Sequence, residues 1–267
     1  MGSIPNLDPV GNREATEDRG NVDEEKRTLL GVDGCRGGWV VARATTGLDA
    51  VSFALYPTFC EVLTAAGRSS RVAVDIPIGL AEAAPRACDL AARTFLPPRR
   101  KSSVFPAPCR ATLAAKDYRD ACERNRAARG KGVTKQLFHI LDKIREVDQG
   151  LAPETQEWLS ETHPEVVFAV LAGADANAIP AKKVAAGRER RVALLARSLP
   201  FLDEPWLSDA RSSLSRQRPD VIPAGDDLVD ALACLVAAER ITRGVARHFP
   251  DSHADYDARG LRMEIVA

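Results

Sequence analysis

The sequence predicts an α/β fold: a mixed five-stranded sheet flanked by helices, with a basic helical and loop insert. Three observations predict it. Strand-length apolar runs at 29–32, 39–45, 50–56 and 71–80 are separated by turn residues, with one helix-like stretch among them. Residues 81–135 then change character, becoming rich in Arg, Lys and Pro. Near the end, residues 225–241 form a long apolar helix whose first turns carry aspartates.

The first element is the stretch 28–43. An apolar run reaches Asp33, Gly34, Gly37 and Gly38 supply a tight turn, and a second apolar run begins at Trp39. No helix fits between them, so this is a hairpin, its first strand aliphatic enough to be central. Residues 50–56 make the third strand after a turn at 47–49, and Pro57 ends it. Residues 58–67 read as a short helix, with Thr58 and Glu61 spaced as a capping pair and Gly67 closing it. The strand at 71–80 runs apolar up to Asp75 and is then broken by Pro77 and Gly79. Arriving after a helix, it should lie parallel to an earlier strand.

Beyond the insert, residues 135–147 carry apolar positions at helical spacing. A strand is expected up to about Thr162, then a helix opened by Pro164. Residues 188–199 read as a basic amphipathic helix and 260–267 as a terminal strand. Residues 1–27 are acidic and lack apolar periodicity, which predicts a disordered tail. The expected organisation is therefore a tail over 1–27 and one domain over 28–267, with the insert at 81–135.

Composition sets further bounds. The 267 residues are 45% hydrophobic with zero formal charge, which suits a domain with a substantial core and gives no whole-chain signal for a nucleic-acid or membrane partner. The six cysteines form no C-x-x-C pair, which argues against zinc and against a disulfide scaffold. Reduced cysteines, no apolar run long enough to span a membrane and no signal-peptide pattern give a cytoplasmic expectation.

The acids carry the chemistry. Asp33 and Asp75 each end an apolar run, and Asp227 and Asp230 share one helix face. Asp226 reads as a cap. Asp230 lies among apolar neighbours, where a charge is costly unless paired or metal-bound. If the first and fourth strands are parallel neighbours, four carboxylates crowd one sheet edge. Oxygen-only ligands point to Mg²⁺ or Mn²⁺, and two such ions about 4 Å apart would promote phosphodiester hydrolysis. Glu161, His163 and Glu165 are candidates for a further ligand or an acid/base group, or else a polar strand end. His139, among apolar neighbours on a helix, reads as structural. Arg99, Arg100, Lys101 and Arg110 are the candidate nucleic-acid contacts, with backbone contact favoured because aromatics are sparse. The glycines at 31–38 precede a strand rather than a helix, which rejects a dinucleotide site, and 130–132 lacks the P-loop spacing.

The element order, with acids ending the first and fourth strands and lying on the last helix, resembles the RNase H-like fold. Its acid positions would correspond to Asp33, Asp75, and Asp227 with Asp230. Residues 227–233 also look like the final-helix motif of RuvC-type Holliday-junction resolvases, and residues 30–33 like their first strand, although those enzymes carry Glu where this chain has Asp75. A wider resemblance is to the family named domain of unknown function 429, described as predicted RNase H-like nucleases. It rests on the segments 32–39, 74–79, 101–106, 163–165, 226–232 and 260–265. The resemblance implies a metal-dependent nuclease, with Asp33, Asp75, Asp227 and Asp230 as ligands and Glu165 or His163 assisting. Two alternatives stand beside it: a non-catalytic nucleic-acid or metal-binding module of the same fold, and an actin-like or sugar-kinase-type ATP-binding protein, which would need a second lobe.

Overall fold

The computed structural model describes residues 26–221 and 223–267. The acidic stretch expected to be a tail lies outside the described residues, apart from Lys26 and Arg27. Arg27 donates to the carbonyls of Ser69 and Ser70, which ties the approach to the first strand to the turn before the fourth.

The chain begins with a meander of β1 (Thr28–Cys35), β2 (Gly38–Thr45) and β3 (Ser52–Tyr56), followed by α1 (Phe59–Ala66) and β4 (Arg71–Val74). The insert contributes α2 (Ala87–Phe95), α3 (Tyr118–Arg129) and α4 (Lys135–His139), and α5 (Leu141–Gly150) leads to β5 (Leu159–Glu161). Four helices follow: α6 (Pro164–Ala172), α7 (Ala185–Leu195), α8 (Glu204–Gln217) and α9 (Gly225–Thr242). Four two-residue strands close the chain: β6 (His248–Phe249), β7 (Asp255–Tyr256), β8 (Arg262–Met263) and β9 (Ile265–Val266).

The fold is α/β with a mixed sheet flanked by helices, as the sequence predicts. The strand count is not: the sheet has seven strands, in the order β3-β2-β1-β4-β5-β9-β6. β2 runs antiparallel to β1 and β3, whereas β1, β4, β5 and β9 are parallel neighbours. The excess over five comes from β9 and β6, each only two residues long. The expected terminal strand over 260–267 divides between β8, in a separate two-stranded ribbon with β7, and β9 in the main sheet.

Three boundaries differ in ways that matter. β1 runs on to Cys35, so Asp33 is not at the strand end but inside the hairpin ladder, opposite Val40. β4 stops at Val74, because Pro77 lacks an amide hydrogen and Gly79 takes a positive φ of 73°. The helix expected over 135–147 breaks at Ile140 into α4 and α5.

Side chains alternate across the sheet, and each face carries its own core. On one face Leu30, Val32, Val41, Val72 and Val74 pack against Phe59 of α1 and Ile144 of α5. On the other, Leu29, Val40, Ala42 and Ala73 meet α9, whose residues 228–239 are all buried. This helix is apolar on every side because α6, α7 and α8 cover the face turned away from the sheet.

Gly31 sets how closely α9 approaches. A Cβ there would lie 2.1 Å from the Ala231 carbonyl oxygen and 2.1 Å from the Leu235 amide nitrogen. Helix backbone rests directly on strand backbone, and no side-chain rotation can relieve the clash. Gly31→Ala is expected to lower unfolding free energy by at least about 3 kcal/mol, above the usual range for an added methylene in a packed core. Chemical denaturation measures this; a loss under about 1 kcal/mol would show that the helix can yield.

Candidate functional site

β1 and β4 are paired parallel with Val32 opposite Val74, and the Asp75 amide donates to the Val32 carbonyl at 2.9 Å. That register sets Asp33 and Asp75 side by side. Both share the face of Gly31 and Ala73, which is the face α9 covers. Since α9 is pressed onto β1 at Gly31, its first turns bring Asp227 and Asp230 over the same point. The four acids act on one another: burial first, then the charges of Asp75, Asp230 and Asp227, pushes the Asp33 carboxyl well above the usual carboxylate range. Burial raises Asp75 to about 7, with Lys182 opposing and Glu165 adding to the rise. Burial raises Asp230 to about 6 in spite of Lys182.

The members are partnered unequally. Asp227 accepts a hydrogen bond from the Ala224 amide at 2.7 Å, so it caps α9 while facing the cluster. The sequence reading gave the cap to Asp226, which instead is half-exposed and lies 3.8 Å from the Lys182 ammonium. Asp230 bonds Lys182 directly. Asp33, only 8% exposed, and Asp75 accept no side-chain hydrogen bond from any described residue. Two carboxylates without a donor in a largely buried setting form a site that calls for a cation.

Lys182 is the group that sequence reasoning missed. It lies between α6 and α7 in a turn with no periodicity, and its charge pulls down the carboxyls of Asp33, Asp75, Asp227 and Asp230 together. Among the described residues, no three His, Cys, Asp or Glu side chains already surround one point as metal ligands do. Lys182 is the cation bonded to the cluster; Lys143 of α5 also lowers the Asp227 carboxyl, while its ammonium donates to the Gly38 carbonyl. Cys35 and Cys234 adjoin the acids, but burial pushes Cys35 up to about 12 and raises Cys234 well above the ordinary thiol value, which keeps both thiols neutral.

Glu161, His163 and Glu165 are placed differently from one another. Glu161 is in register with Val74, so it points to the opposite face from Asp75. There it accepts from the Ile78 amide at 2.7 Å and takes two bonds from the buried Arg86, whose guanidinium also holds Asp89. His163 has both ring nitrogens committed. Nδ1 accepts from the Glu165 amide, which makes the residue the N-cap of α6, and Nε2 meets the Ser103 carbonyl at 3.2 Å. Burial lowers its pKa, consistent with a neutral ring. Glu165 does border the cluster, since its charge raises Asp75 and Asp230. It is gripped by Arg191 at 2.8 and 3.0 Å and by Arg100 at 3.1 Å. Burial would push its carboxyl up, but these two arginines outweigh it and hold the carboxyl below the ordinary value.

Two of the four candidate contacts in the basic insert are already paired with acids outside it. Arg100 is spent on Glu165, and Arg110 forks onto Asp148 at 3.0 and 3.2 Å and also bonds Asp257. Neither is available as the phosphate contact that the sequence suggests. Arg99 and Lys101 are exposed, with no ion pair among the described residues. They flank Arg100 and so stand beside the Glu165 border of the cluster. A cleft of about 340 Å³ opens at the start of α9, lined by Arg188, Ser208, Arg211 and Gly225 among others; it adjoins the acids without including them. No described helix is long and apolar enough to cross a membrane.

The profile of the family described as "Protein of unknown function (DUF429)" matches residues 31–255, and the chain belongs to that family. No curated protein and no solved structure matches the chain.

The raised carboxyls make stability depend on pH. Asp75 keeps a proton up to about pH 7 when folded but only to the ordinary aspartate value of 3.8 when unfolded, so folding takes up a proton between those values. The folded state therefore loses stability from this group as pH rises through that window. In chelator, Asp75→Asn should gain on the wild type across it by about 1–3 kcal/mol. Urea titrations of both proteins along a pH series measure this; a difference that does not change with pH would remove the shift.

Proposed function

We propose that the chain is a nuclease that hydrolyses phosphodiester bonds in nucleic acid with a divalent ion, Mg²⁺ or Mn²⁺, on an RNase H-like sheet. One observation carries the reading: Asp33 on β1 and Asp75 just past β4 stand side by side, and neither carboxylate accepts a hydrogen bond from a described residue. The order β3-β2-β1-β4-β5, with β2 antiparallel and acids on β1, after β4 and on α9, agrees with the resemblance read from the sequence. The donor set suits a hard cation, being carboxylate oxygen throughout. Asp33 and Asp75 would hold the ion, with Asp227 and Asp230 beside them on α9. When bound, such an ion lowers the pKa of a water and offsets charge on the phosphoryl oxygens.

The remaining residues hold the site and meet the substrate. Arg191 and Arg100 hold Glu165 ionised at the border of the acids. His163 caps α6 and so fixes where Glu165 begins. Glu165 and His163 therefore act here as positioning residues. Glu161, on the far side of the sheet, anchors residues 76–80 through Arg86 and Ile78. The exposed Arg99 and Lys101 are the better-placed contacts for a polyanionic backbone, since both ammonium and guanidinium attract phosphate without reading sequence.

Wild-type protein should cleave at least one member of a panel of single-stranded, duplex, hybrid and branched DNA and RNA when Mn²⁺ or Mg²⁺ is present. Asp33→Asn should lower kcat/KM at least about 100-fold, since even residues that only support metal ligands cost 10- to 100-fold. Fragments resolved on denaturing gels measure both. Equal inertness of wild type and variant on every substrate would end the nuclease reading. Arg99→Ala with Lys101→Ala should weaken substrate binding and flatten its salt dependence without changing metal affinity.

A further inference from the structure

We propose that Lys182 is the second cation of the carboxylate site, so that the site takes one divalent ion, at Asp33 and Asp75, rather than two. This rests on the reading of the acids as a metal site and adds its stoichiometry.

The first argument is partnership. Of the four acids, Asp230 is bonded to the Lys182 ammonium and Asp227 spends an oxygen on the Ala224 amide. Asp33 and Asp75 are left with no donor among the described residues, and Asp33 is more than nine-tenths buried. An incoming ion therefore meets two carboxylates unpartnered among the described residues, Asp33 and Asp75, but at Asp230 a carboxylate already bonded to the ammonium through Oδ2. The second argument is charge. With the ammonium in place, the four carboxylates leave three negative charges. One divalent ion brings that to minus one, and a second would carry the site to plus one and stand as a like charge against the ammonium.

The third argument is that Lys182 is placed by its surroundings. Arg191 donates to the Pro180 carbonyl at 3.1 Å, just before the lysine. On the other side, α7 begins so close to the turn that a Cβ on Gly187 would lie 2.0 Å from the Ala181 carbonyl oxygen. The turn is thus pinned on both flanks, and one of its anchors, Arg191, is the residue that clamps Glu165 at the border of the same site. A surface lysine swinging freely would need neither contact. The side chain stays about one-third exposed, so its ammonium also remains open to an anion entering the site.

The test is calorimetric titration of the full chain with Mn²⁺, checked by manganese electron paramagnetic resonance, so that no turnover is needed. Wild type should bind one Mn²⁺ per chain. Lys182→Met should bind two, and Lys182→Arg, which keeps the charge, should remain at one. Two ions on the wild type would overturn the inference while leaving the metal site standing. One ion on both wild type and Lys182→Met would overturn it too, and none on the wild type would take down the metal site along with it. Should Lys182→Met fail to fold, Asp230→Asn and Asp75→Asn decide. The inference requires one ion in the first and at least a 100-fold loss of affinity in the second; equal loss in both would overturn it.

Discussion

The contact of α9 with β1 at Gly31 governs the geometry of everything near the acids. Helix and strand approach backbone to backbone because the strand has no side chain at that position, and the helix can pack so closely only by being apolar around its whole circumference. Its N-terminal turns are thereby carried over the end of the β1/β4 pair, where Asp33 and Asp75 already stand level. A helix held one side chain further out would leave Asp227 and Asp230 too distant to raise the carboxyls of their neighbours. The electrostatic character of the site thus follows from a steric feature one turn away.

The charge so gathered is answered by protein groups at two radii. Lys182 meets the acids directly, and Arg191 with Arg100 neutralises Glu165 at the margin. Those arginines offset the repulsion that Glu165 adds to Asp75 and Asp230. On the opposite face, Arg86 performs the same service for Glu161 and Asp89 and ties residues 78 and 79 to the sheet. Glu161, Asp89 and Glu165 are each held by two or more bonds from arginine, the arrangement in which a buried charge is tolerated, whereas buried Glu239 has a single ion-pair contact, with Arg243, and accepts from the Gly47 amide. Asp33 and Asp75 have no such partner among the described residues, which is why the functional reading falls on them.

How much of this was legible in the sequence follows from the range of the interactions. The four aspartates were legible because each interrupts or caps an apolar run, a local feature. Glu161 was legible as an acid at a strand end, and its assignment to the opposite face follows from alternation once its register against Val74 is known. Arg100 and Arg110 looked like surface phosphate contacts because their partners lie far along the chain: Glu165 is 65 residues away, and Asp257 is 147. Lys182 left no trace, since it occupies an aperiodic turn between helices and its role is set wholly by where that turn is pinned.

The sequence alone determined the α/β class, the opening hairpin, the parallel return of β4, the long apolar α9 and the identity of the four clustered acids. Periodicity and turn chemistry act over a few residues, and these elements are written at that scale. The tertiary structure alone decided the strand order beyond β5, the face on which each acid stands, which arginines are spent, and which cation faces the cluster. Those depend on register and on close backbone approach between segments far apart in the chain, and no local pattern of residues encodes them.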